Sequence, residues 1–146
     1  MAEQAQASEL AGFPKPQEGT FVWTEIAVNK GDAEKCKAFY AAVFGWKFKD
    51  SNAAEGMPYH EFSTGGDNPA GGLYEIDPKF FEGQPQLPPP HFLPYIAVDD
   101  IDANAKKAEE LGATILKGPM DIPNVGRFAV IKDPAGAVFA TFSMGK

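Results

Sequence analysis

The sequence predicts an α+β fold of two tandem βαβββ modules, forming a cupped, barrel-like mixed sheet with the helices outside. Three observations predict it. A strand-helix-strand-strand-strand pattern begins after residue 20, the same order returns after a proline-dense stretch, and parts of the two halves match letter by letter.

Residues 21–28, FVWTEIAV, are rich in β-branched and aromatic residues and read as a strand. Asp32 then stands where a helix N-cap belongs. Cys36, Phe39, Tyr40, Val43 and Phe44 recur as one amphipathic stripe, and Gly45 suits the left-handed end of that helix. Short strands follow over 46–49, 59–64 and 71–76, separated by Gly, Pro, Asn and Asp. In the second half, 91–98 reads as a strand, 98–112 holds a helix, and 113–118, 127–132 and 137–142 read as strands. Residues 1–19 are expected to form a loose tail from which Leu10 and Phe13 can dock. The single domain then covers 20–146: module one 20–80, a proline-rich connector 81–90, and module two 91–146.

The repeat is literal in places. Ile26-Ala27-Val28 matches Ile96-Ala97-Val98 at an offset of 70, and Asp32-Ala33 matches Asp102-Ala103. Asn68-Pro69-Ala70-Gly71-Gly72-Leu73-Tyr74 matches Asp133-Pro134-Ala135-Gly136-Ala137-Val138-Phe139 at an offset of 65. Each copy has a sheet face that it cannot bury alone, so the copies are expected to pack together or against a partner chain and enclose a cleft.

Composition narrows the function. With 146 residues and 44% hydrophobic content, the chain can bury roughly two thirds of its unfolded surface without disulfides. Cys36 is the sole cysteine, which excludes an internal disulfide and any cysteine-ligated cluster; its helical spacing makes it a small packing residue. A net charge of −7 argues against nucleic acid. The amino terminus has no secretory pattern and no stretch is apolar enough to span a membrane, so a cytoplasmic protein is expected.

Three segments carry a family resemblance: AFYAAVFGW at 38–46, YIAVDDIDANAKKAEELGATI at 95–115, and PNVGRFAVIKDPAGAVFATF at 123–142. On these the chain resembles the vicinal oxygen chelate superfamily, which includes glyoxalase I, bleomycin and fosfomycin resistance proteins and extradiol dioxygenases. Metal-dependent members hold a divalent ion with side chains from the first and last strand of each module. The resemblance places Leu93 and Ala140 at the second-module positions, neither able to coordinate, and Glu75 at the last-strand position of module one. The remaining position is Trp23 or Glu25, according to the direction of counting. At most two carboxylates then survive of four ligands, too few for a well-held transition metal, so neither a metal nor a cofactor is expected.

The candidate acid-base groups are Glu25 and Glu75, which could act as a pair if they approach each other. Trp23, Tyr59, Leu73, Leu93, Tyr95, Val138 and Phe142 fall on the expected cavity side by strand alternation and would line an apolar pocket, or serve as ordinary core. His91 shares that face and could bond a ligand, join a shifted metal centre with Glu25 and Glu75, or simply start a strand. Arg127 could clamp an anion or sit at the surface. His60 lacks the second histidine of a zinc motif, Pro85-Gln86-Leu87-Pro88 reads as a stiff connector, and the glycine pairs form no nucleotide loop.

The leading expectation is a glyoxalase-like protein that binds a small organic molecule, by sequestration or metal-free acid-base chemistry. A metal-dependent lyase, isomerase or dioxygenase with a shifted ligand set is one alternative, and a non-catalytic assembly domain is the other. A homodimer is expected from the resemblance.

Overall fold

The computed structural model describes residues 15–51, 58–81, 86–123 and 125–144. Leu10, Phe13 and most of the expected tail lie outside the described residues, as does part of the 81–90 connector. Among the described residues two compact units emerge, one from Thr24 to Phe92, the other combining residues 15–23 with Leu93 onward. Both are α+β, and each contains a mixed four-stranded sheet with one helix.

The first unit takes β1 (Phe21–Val28) from Thr24 onward, then α1 (Ala33–Phe44), β2 (Lys47–Ser51), β3 (Tyr59–Ser63) and β4 (Gly71–Glu75), with a 3-10 turn at Pro78–Phe81. The strands run in the order β2-β3-β4-β1. β2, β3 and β4 pair antiparallel, whereas β4 pairs parallel with β1. Ile26, Phe62 and Leu73 alternate toward α1 and form the core with Val28 and Ala33. Burying each large side chain contributes about 1.5–3 kcal/mol. An aromatic stack continues that core: Trp46 lies on Phe62 with ring centroids 4.7 Å apart, and Tyr40 on Trp46 at 5.1 Å.

The α1 stripe is only half used. Cys36 and Tyr40 pack on the core, but Phe39, Val43 and Phe44 remain 56%, 53% and 60% exposed. Phe44 meets Trp46 at 5.4 Å and Phe39 meets Tyr40 edge-on at 5.2 Å, so these two rings pack at the margin of the aromatic stack and leave more than half of each in solvent. The helix begins differently from expectation too: Asp32 makes no side-chain cap bond, and the Ala33 N–H donates instead to Glu75 Oε2 at 3.1 Å. Gly45 ends the helix as expected, at φ +73°, with its N–H donating to the Ala41 carbonyl at 2.9 Å.

In the second unit, β5 (His91–Ala97) precedes α2 (Ile101–Glu110), β6 (Thr114–Ile122), β7 (Gly126–Lys132) and β8 (Val138–Met144). The order β6-β7-β8-β5, with β5 and β8 parallel, repeats the topology of the first unit. Val98, Ile101, Ala129 and Ile131 form its core beneath α2. Asp100 caps α2 by accepting the Ala103 N–H at 3.1 Å. β6 runs four residues past its expected end at Gly118, because register shifts around Lys117 accommodate Pro119 in an edge strand.

The strand registers correct the alignment of the halves. Ile26 pairs with Leu73 and Ile96 pairs with Thr141, so Leu73 corresponds to Thr141, an offset of 68 rather than the 65 of the matching letters. Three is odd. A shift by an odd number of residues moves every side chain to the opposite face of a strand, so positions inferred for β4 from the letter match fall on the wrong side.

Candidate functional site

On the face of the first sheet turned away from α1, one cross-strand row runs Glu25, Gly72, Glu61, Lys49, and the next runs Ala27, Tyr74, Tyr59, Ser51. The Tyr59 hydroxyl donates to Glu25 Oε2 at 2.9 Å. Tyr59 is 2% exposed and stacks on Tyr74 with centroids 6.3 Å apart. Glu61, 4% exposed, puts a second carboxyl in the same row as Glu25. Burial, and then the negative charge of Glu25, push the Tyr74 phenol far above its ordinary value, so it keeps its proton at neutral pH. The result is two carboxyls and two phenols gathered on one face, a set able to accept and donate hydrogen bonds to a polar ligand while offering aromatic surface.

Other expected residues are placed differently. Glu75 lies opposite Val28, an odd number of residues from the Glu25–Gly72 pair, so it is on the α1 face and bonds the helix N-terminus. The expected Glu25/Glu75 pair is therefore not assembled. Leu73, 0% exposed, is core beneath α1 rather than part of the Glu25 face. Arg127 also faces its helix: Nη2 and Nε donate to the Asp102 carboxylate at 2.8 and 3.2 Å and Nη1 to Asp121 Oδ1 at 2.9 Å, so its guanidinium is engaged within the fold. His91 bonds the Pro89 carbonyl through Nδ1 at 2.7 Å; because a carbonyl only accepts, Nδ1 carries the proton.

Leu93, Tyr95 and Phe142 do share one face of the second sheet, the side turned from α2, as alternation implied. Trp23 stands two residues before Glu25 on β1 and so points to the same side of that strand. His60 pairs with Asp50 at 2.6 Å on the α1 face. Sequence reasoning passed over Glu61 and Tyr74. Their signal was available, since Tyr59 and Glu61 alternate along one strand.

A duplicated βαβββ unit with an aromatic, carboxyl-bearing sheet face defines the class. The chain belongs to the Glyoxalase/Bleomycin resistance protein/Dioxygenase superfamily, whose model matches residues 23–141. It is 40% identical over 124 residues to a Mycobacterium tuberculosis protein named "Putative glyoxylase CFP32", covering 84% of this chain and 43% of that protein. Identity is 34% over 133 residues to the anthracycline biosynthesis protein DnrV of Streptomyces peucetius, covering 87% of this chain and 48% of that one. The chain thus spans less than half the length of these curated relatives. Methylmalonyl-CoA epimerase from Mycobacterium tuberculosis shares the fold, with TM-score 0.55 and 18% identity over 93% of this chain and 96% of that one.

The family's metal can be tested against the donors present. Among the described residues no group of three or more His, Cys, Asp or Glu side chains is arranged to hold an ion. In the second unit Ala140 pairs with Tyr95; by the corrected register the first-unit counterpart of that pair is Gly72 with Glu25, and the counterpart of Leu93 is Trp23. The four corner positions are then Trp23, Gly72, Leu93 and Ala140, none with a side chain that ligates a divalent ion. This donor set does not fit the family's metal.

Proposed function

We propose that this chain binds a small organic molecule against the sheet face carrying Glu25 and Tyr59, without the divalent ion of metal-dependent relatives. The molecule is either sequestered there or acted on by proton transfer, with Glu25 accepting a proton beside a carbonyl. The observation that carries this reading is the Tyr59–Glu25 hydrogen bond of 2.9 Å on the face that also carries the buried Glu61 and the ring of Tyr74. The aromatic residues Tyr59 and Tyr74 on this face support the reading, and the relatives' names suggest two probes: a methylglyoxal–thiol adduct and an anthracycline. A cytoplasmic homodimer belongs to the same reading.

The test compares wild type with Glu25→Gln, following turnover of the methylglyoxal–glutathione adduct and quenching of tryptophan fluorescence by doxorubicin. Saturable binding or turnover that falls at least tenfold in Glu25→Gln is expected. Equal behaviour of the two proteins removes Glu25 from the site. A second reading, a domain kept for assembly, is favoured by the exposed Phe39, Val43 and Phe44 on α1. Sedimentation of Phe39→Gln/Phe44→Gln decides it: conversion of a dimer to a monomer supports that surface as the contact.

A further inference from the structure

Gly72 lies between Glu25 and Glu61 in the cross-strand row, where no side chain fits beneath Tyr59. A Cβ built there meets Tyr59 Cε1, Cζ and Oη at 2.1 Å each. The Tyr59 ring therefore lies directly over the bare backbone of Gly72, and only because it lies there does its hydroxyl reach Glu25 across the sheet. The ring also stacks on Tyr74, almost parallel at 12°. In the second unit the equivalent row is Tyr95, Ala140, Val130, with a methyl group at the glycine's place and no carboxyl at all. The bare position and the acid it serves thus occur together in one half of the duplicated fold.

We propose that Tyr59 is a positioning residue for the Glu25 carboxylate, and that Gly72 is the determinant that lets it act. Donation from Tyr59 fixes the orientation of the carboxyl group and stabilises its ionised form, which readies Glu25 to receive a hydrogen bond or a proton from a ligand. The assignment of Glu25 as the acting group rests on the function proposed above; the positioning by Tyr59 and Gly72 does not.

The experiment is a pH titration of the Glu25 side-chain carboxyl by carbon-13 NMR in the full chain with no ligand added, for wild type, Tyr59→Phe, Gly72→Ala and the double variant. Removing the donor destabilises the carboxylate, so the Glu25 midpoint in Tyr59→Phe is expected to rise by about one pH unit. Gly72→Ala, by pushing the ring aside, gives a rise in the same direction, and the double variant rises no further than either alone. An additive double variant, or a Gly72→Ala midpoint equal to wild type, overturns the role of Gly72. An unmoved midpoint in Tyr59→Phe overturns the whole inference. Tyr59→Phe keeps the ring and so carries the test even if Gly72→Ala does not fold. Because the readout needs no ligand, its failure is distinct from failure of the proposed function, which shows instead as unchanged doxorubicin binding or turnover in Glu25→Gln.

Discussion

Two glutamates that read alike in the sequence have separate jobs because three residues of strand separate an even from an odd position. Glu25 shares a face with Tyr59, whereas Glu75 turns under α1 and accepts the first amide of the helix. Replacing Glu75 by Ala should cost about 1 kcal/mol, the usual loss for a helix N-terminal cap, with ligand binding retained. Urea denaturation checks the first part, and a loss of binding equal to that of Glu25→Gln would return Glu75 to the site. Leu73→Ala, at a position with 0% exposure, should cost about 2–5 kcal/mol in the same assay.

The β7–β8 hairpin explains why one of the repeated motifs has its letters. Asp133 Oδ1 accepts the amides of Ala135 at 2.8 Å and Ala137 at 2.9 Å, and Gly136 takes φ +103°. The same letters in the first half serve another purpose: Gly71 lies within β4, where a Cβ would come 1.9 Å from the Thr24 carbonyl oxygen. The amides of Ala137 and Ala135 hold the Asp133 carboxyl below its ordinary value. A carboxyl lowered in the folded state stabilises above its unfolded value near pH 4 and loses that contribution as pH falls through the folded value. Asp133→Asn keeps the turn acceptor but cannot ionise, so its urea midpoint should fall less steeply than wild type between about pH 4 and pH 2. Parallel acid limbs would contradict this. On α1, Phe39→Gln should change stability by no more than about 0.5 kcal/mol, since the ring is over half exposed, while Tyr40→Ala should cost several times as much.

For the molecule as a whole, the duplication sets out two copies of one topology and then loads them differently. The row that is Glu25, Gly72, Glu61 in one copy is Tyr95, Ala140, Val130 in the other. In these rows the carboxyls stand in the first copy alone, while the same face of the second carries the buried apolar Leu93 and Phe142. With carbon or hydrogen at all four corner positions, protein purified without chelator should contain less than a tenth of an equivalent of divalent metal by elemental analysis; a full equivalent would restore a metal-dependent reading. A net charge of −7 leads us to expect no retention of duplex DNA at physiological salt in a gel-shift assay.

Strand and helix types, their order and the duplication were legible in the chain, because hydrophobic periodicity and turn residues are local signals. The faces of β4 were not legible: the letter match favoured an offset of 65 whereas the hydrogen-bonded ladder enforces 68, and a period-two element turns that odd slip into a full reversal of sides. The tertiary structure alone decided that Glu75 caps a helix, that Arg127 is tied to Asp102, and that Tyr59 lies across Gly72 to meet Glu25, since each contact joins separate elements that only the folded sheet brings together.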